Sequence, residues 1–266
     1  MKLLINEWRK YLFNVRSVII IPLILLIILI IYFSTMHFMM AAIKPSPSAE
    51  DYSKVFLFGI TICYNFINFI AIIYASNILS SEISRGTIKF ILTRPYQRYK
   101  ILLAKIGAIT LLMPIFMIIA VIISLLLQLL TIHHMPELGA TIKYTGIYIL
   151  YILAVTVFIT AFALMLSSMT SSPAFVTGCS IVYYFCASKL WATINILYFH
   201  LPTDGWLYKL CPLNVNSYLI DLMKDAIENS AQNEFYIALL ANIAYACIFV
   251  LIAVLIFRRR DISLAN

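Results

Sequence analysis

The chain has 266 residues, 63% of them hydrophobic and 11% charged, with a formal net charge of +8 and a mean hydropathy of +0.98. A soluble domain is roughly half apolar and a quarter charged, so polar surface this sparse excludes a water-facing globule and points to a bilayer as the solvent. In that solvent the positive balance is a topological signal rather than a nucleic-acid footprint, because cytoplasmic loops collect Lys and Arg.

Residues 2–15 come first. Leu4, Trp8, Tyr11, Leu12 and Val15 share one helical face, with Lys2, Asn6, Arg9 and Lys10 mostly opposite. This pattern predicts a helix lying in the membrane interface, Trp8 at headgroup level and Arg9 and Lys10 toward water. The basic region and the long apolar run after it do not fit a cleavable signal peptide, whose apolar core is roughly 7–15 residues, so this segment is expected to stay attached.

Six stretches then reach the ~20 apolar residues a span requires: about 17–41, 55–79, 101–131, 144–168, 173–198 and 235–257. Pro22 and Pro173 fall in first turns, where the missing N–H costs nothing, and Pro114 inside the third stretch is expected to kink it. The fold expected is all-α, one polytopic transmembrane domain over residues 1–266. Lys189 lies near the end of the fifth stretch, where snorkelling to the interface accounts for it. Residues 189–202 fit a re-entrant piece equally well. Residues 213–227 alternate at helical spacing but are too polar to cross, which predicts a short amphipathic helix within an external region spanning 199–234.

Loop charges orient the spans. The N-terminal segment carries Lys2, Arg9, Lys10 and Arg16. The loop after the second span carries Arg85, Lys89, Arg94, Arg98, Lys100 and Lys105 against Glu82, and the tail carries Arg258, Arg259 and Arg260. All three fall on one side of a six-span arrangement, while 199–234 on the other side is net acidic. Positive-inside bias therefore predicts cytoplasmic termini.

Catalytic patterns are missing. None of the seven glycines is followed by Lys, so no Walker A loop cradles phosphates, and neither GxSxG nor HExxH occurs. His133 and His134 are adjacent rather than i, i+4, and the five cysteines lack metal-ligand spacing. No catalytic, cofactor or metal residue is expected, and no carboxylate lies deep in a span to serve a proton relay. Thr61, Asn65 and Asn68 form a neutral polar stripe on the second span. Packing between helices, a substrate path and a subunit seam all fit it.

The loop at 80–100 carries the most specific signal. Over about 82–92, Glu82, Arg85 and Lys89 form one helical face, and Ser84, Ile88, Ile91 and Leu92 another. Pro95 biases Arg94 out of the helical region and marks a stop. Gly86–Thr87 is costly mid-helix and suggests close backbone approach to another surface, or a bend. A headgroup-binding basic loop would carry similar charge.

The string Glu82-x-x-x-Gly86-Thr87-Ile88-Lys89, then Leu92-Thr93-x-Pro95-x-x-Arg98, resembles the cytoplasmic loop of ABC-2 type transporter permeases, the membrane subunits of ATP-driven exporters. The likeness extends to the interfacial helix, the six spans, the basic tail and the proline-containing "CPLNVNSYLIDLM" before the last span. It implies that 82–92 is a coupling helix, with Glu82, Arg85, Gly86, Thr87, Lys89, Pro95 and Arg98 docking on a separate ATP-binding subunit that holds ATP and Mg. It also implies that Trp8, Arg9 and Lys10 contact that partner and that a second permease subunit, identical or not, pairs with this one. Small Firmicutes permeases of this type export bacitracin, lantibiotics, peptide toxins or sodium. The resemblance thus implies a bacterial cytoplasmic-membrane location and no catalysis in this chain, and an amphipathic cargo suits spans without charged ion ligands. A toxin-binding immunity or sensor protein acting through 199–234, a sodium exporter subunit and a secondary transporter are the rival readings.

Overall fold

The computed structural model describes residues 49–77, 79–84, 98–132, 138–227 and 232–259, together with Leu26, Ile30, Phe33 and Ser34. The described residues are helical and contain no strand. In chain order they form α1 (Ala49–Asn77), α2 (Ser80–Ser84), α3 (Arg98–Ile132), α4 (Leu138–Met169), α5 (Pro173–Ile194), α6 (Trp206–Lys209), α7 (Val215–Ile227) and α8 (Gln232–Arg259). Among the described residues, four segments are long and apolar enough to cross a membrane: Tyr64–Ser84, Tyr99–Leu126, Thr145–Met169 and Asn233–Phe257. The expected interfacial helix 2–15 lies outside the described residues, as does nearly all of the first expected span.

α4 is the axis of the bundle, packing against α1, α3, α5, α7 and α8. Its sequence explains that place. A helix that is apolar on every side has no face to give to water, and Ile152, Val155, Phe158, Ile159, Ala163 and Leu164 are all buried. Thr156 and Thr160 tolerate this position because a threonine hydroxyl can bond a carbonyl one turn back, as Thr160 Oγ1 does to Thr156 O at 2.7 Å.

Local signals set the helix ends. At α5 the Ser172 hydroxyl accepts from Phe175 N (3.4 Å) and Pro173 opens the helix, combining an N-cap with the one position where proline loses nothing. α7 buries Val215, Leu219 and Leu222 at i, i+4 and i+7 and leaves Asp221 exposed, the one-sided stripe expected for a helix lying against a bundle.

After Ile194 the helix widens into a π-turn, Asn195–Phe199, and the chain reverses at His200 with φ 47°. Helical backbone thus continues through most of 189–202. Asn195 holds the reversal from both sides: its Nδ2 donates to Leu201 O at 3.0 Å and its Oδ1 accepts from Leu201 N at 2.9 Å. Asn195→Ala is expected to destabilise by about 1–3 kcal/mol through two lost partners, whereas His200→Gly is expected to stabilise by about 1 kcal/mol, because a left-handed residue with a Cβ is strained. Thermal unfolding of both variants in detergent checks the pair of signs.

Candidate functional site

The root of the 80–100 loop is built from serines and one ion pair. α1 ends at Asn77 and α2 continues from Ser80. The Ser80 hydroxyl bonds Ser76 O at 2.5 Å, and the Ser81 hydroxyl bonds Asn77 O. These bonds back to the preceding turn let hydroxyls sit in an apolar setting. The Ser80 amide donates to Ser167 Oγ at 2.6 Å, tying the start of α2 to the end of α4. The Glu82 and Ile83 amides both reach Leu79 O, at 3.1 and 2.9 Å.

Glu82 turns inward from this root. Its Oε1 lies 2.6 Å from Lys105 Nζ on α3, with the two side chains 9% and 0% exposed. Lys105 stands seven residues inside α3, among buried Ile101, Leu102, Ile106 and Ile109. Burying both charges is costly, and their proximity with short charge-assisted hydrogen bonding offsets that cost. The pair therefore fastens the two ends of the 85–97 stretch to each other across a low-dielectric gap. In the sequence Lys105 counts as one more loop cation, and Glu82 shares a helical face with Arg85 and Lys89. The fold joins Glu82 and Lys105 as an internal bolt.

Among the expected docking residues, Arg85, Gly86, Thr87, Lys89 and Pro95 lie outside the described residues, as do Trp8, Arg9 and Lys10. Arg98 opens α3, and of its side chain nothing is described. The same holds for Thr61 within α1.

A second polar feature runs along the α1–α5 contact. Asn68 is fully buried, and its Nδ2 donates to Tyr184 OH at 3.1 Å. Nearer the loop root, the hydroxyls of Ser76 and Thr177 lie 2.6 Å apart. Tyr64 sets its ring edge-on to Tyr151 of α4, centroids 5.1 Å apart. Asn68 thus faces another helix of its own chain, while Asn65, one turn minus a residue away, is half-buried.

Farther from the loop root, tyrosines within two long helices hold the connecting segment. Tyr183 OH donates to Pro212 O (2.5 Å) and Tyr245 OH to Leu210 O (2.9 Å). Tyr218 OH donates to Glu234 Oε2 (2.6 Å), and Asn242 Nδ2 to Asn216 Oδ1 (2.6 Å). Carbonyls in a non-helical stretch against an apolar bundle need partners, and these hydroxyls supply them. Neither Tyr183 nor Tyr245 stands out in sequence, where a tyrosine in an apolar run reads as packing. The only cue was the Pro-containing segment that must come to rest on the bundle. Among the described residues no three His, Cys, Asp or Glu gather as metal ligands.

A family model described as a protein of unknown function (DUF2705) matches residues 18–263, nearly the whole chain. The chain belongs to the DUF2705 family. The curated proteins contain no match to it. In this DUF2705 chain, the matched region takes in the loop root, the ion pair and the tyrosine-pinned segment alike.

Proposed function

We propose that this DUF2705 chain is the membrane-spanning permease subunit of an ATP-driven exporter of the ABC-2 type. It has six spans, with both termini and the 80–100 loop in the cytoplasm, and a separate subunit hydrolyses ATP. The coupling element is the stretch from Glu82 to Arg98. ATP binding closes the partner subunits, and Gly86–Thr87 and the flanking basic residues transmit that motion to α1 and α3. An amphipathic or hydrophobic molecule, such as an antimicrobial peptide, is the cargo that suits spans with neutral polar groups and few charges.

The observation that carries this reading is the loop root. A lever works only if its base is stiff, and Glu82–Lys105 at 2.6 Å, Ser80–Ser167 at 2.6 Å and the Ser80 hydroxyl on Ser76 O give the base three attachments, to α3, α4 and α1. Rigid elements with discrete arrangements are what carry motion between distant sites. A headgroup-binding basic loop has no use for such a base.

Transport in inside-out vesicles tests the proposal. Uptake of a fluorescent amphipathic peptide is expected to require ATP and to survive collapse of the proton gradient. Uptake that follows the gradient while ATP is maintained would replace the proposal with a secondary transporter.

A further inference from the structure

The face of α5 turned away from α1 carries an open groove of about 470 Å³, bordered by Phe162 of α4 and lined by Phe175, Gly178, Val182, Leu190 and Leu213 among others, almost wholly apolar. α5 packs against α1 and α4, two of the helices that hold membrane-length segments. Its Thr177 meets Ser76 of α1 and its Tyr184 meets Asn68, so the two helices run antiparallel side by side over that length. A groove so placed opens toward lipid. From Phe175 to Leu190 it follows α5 for about 22 Å at 1.5 Å per residue, longer than the ~15 Å half-thickness of the hydrocarbon core. An extended acyl chain fits it lengthwise.

Charge selects the occupant. Lys189 is exposed on the same helical face as Val182 and Cys186, beside Leu190 at the C-terminal end of the groove, and α5 contains no Asp or Glu. Trp191 follows, stacked with Tyr208 at 6.2 Å and near Phe199 at 5.8 Å. Such a Lys–aromatic combination marks headgroup depth, and a lysine there reaches a phosphate with its ammonium while its stem covers apolar surface.

From this arrangement we infer that the groove is a binding site for one anionic phospholipid of the leaflet at the C-terminal end of α5. The acyl chain lies along Gly178 and Val182, and the phosphate sits on Lys189. Gly178 is what leaves room for the chain: a Cβ there meets no atom within 4 Å, so the absent side chain is space rather than strain. The inference goes beyond the export reading and needs only that α5 lies in a bilayer.

The test uses the full chain in nanodiscs of equal parts phosphatidylcholine and phosphatidylglycerol, with native mass spectrometry counting each lipid retained per chain after a delipidating wash. Wild type is expected to retain phosphatidylglycerol over phosphatidylcholine by about fivefold, the preference one near-surface lysine confers. Lys189→Gln keeps a bound lipid but loses the preference. Gly178→Leu, whose side chain enters open space on a helix that favours leucine over glycine, loses the lipid altogether. Val182→Trp repeats the loss by a second route. Undiminished phosphatidylglycerol preference in Lys189→Gln, or undiminished retention in both filling variants, overturns the inference. So does disulfide cross-linking of two chains through Cys186 in lipid-free preparations, which would make a second copy the occupant. None of these readouts involves an ATP-binding subunit, so the inference and the export reading can fail separately.

Discussion

Replacing Glu82 by Leu or Lys105 by Met alone is expected to destabilise the chain by about 3–5 kcal/mol, while making both changes together restores it to within about 1 kcal/mol of wild type or above it. Each single variant removes the ion-pair partner that lies 2.6 Å away. Lys105 is fully buried in the wall of α3. The double variant removes both desolvation costs and keeps apolar volume, which is why buried pairs are often replaceable though not breakable. Denaturation in mild detergent reads this directly, with non-additivity across the four proteins as the signature of contact. Under the export reading, a pair that serves only the stability of the loop root lets the double variant recover transport as well. If the carboxylate contacts the partner as well, stability returns and export does not.

The second large effect falls on Gly86. Under the coupling reading, Gly86→Leu places a branched side chain where backbone meets the ATP-binding subunit. It is expected to weaken docking by about 2 kcal/mol, roughly thirtyfold, while leaving membrane insertion and the melting temperature unchanged. Titrating the purified ATP-binding subunit against wild type and variant in nanodiscs gives the two affinities. Equal affinities would remove Gly86 from the docking surface. A parallel loss of thermal stability would make the glycine a structural requirement of the loop instead.

Much of the described architecture is legible in the sequence, because hydrophobic run length responds to the bilayer alone. The apolar stretch expected at about 101–131 is Arg98–Ile132 as a helix, that at 144–168 is Leu138–Met169, and that at 235–257 is Gln232–Arg259. The helix expected at 213–227 is Val215–Ile227. Proline at the start of α5 and the serine before it mark a boundary by local chemistry, without reference to the rest of the chain.

Side-chain partnerships were not legible in the same way. Lys105 reads as an interfacial cation because its neighbours in sequence, Lys100 and Arg98, are loop-proximal, and only the fold brings Glu82, 23 residues earlier, within 2.6 Å. Asn68 reads as one of a stripe with Thr61 and Asn65. Its hydrogen bond to Tyr184 joins it to a residue 116 positions away. The tyrosine hydroxyls that hold Leu210 and Pro212 are invisible for the same reason: the acceptors are backbone carbonyls, which carry no letter of their own. Period and run length report how a helix meets its solvent, whereas a buried polar contact depends on which two helices the topology sets side by side.

The central claim is that this chain works as half of a machine whose motor is another subunit. Extraction of the tagged chain from its native membranes in mild detergent, followed by identification of what comes with it and an ATPase assay, tests that claim most directly. A stoichiometric ATP-binding subunit is expected, with vanadate-sensitive hydrolysis that Gly86→Leu removes from the complex. A chain that emerges without any ATP-binding companion would contradict that claim.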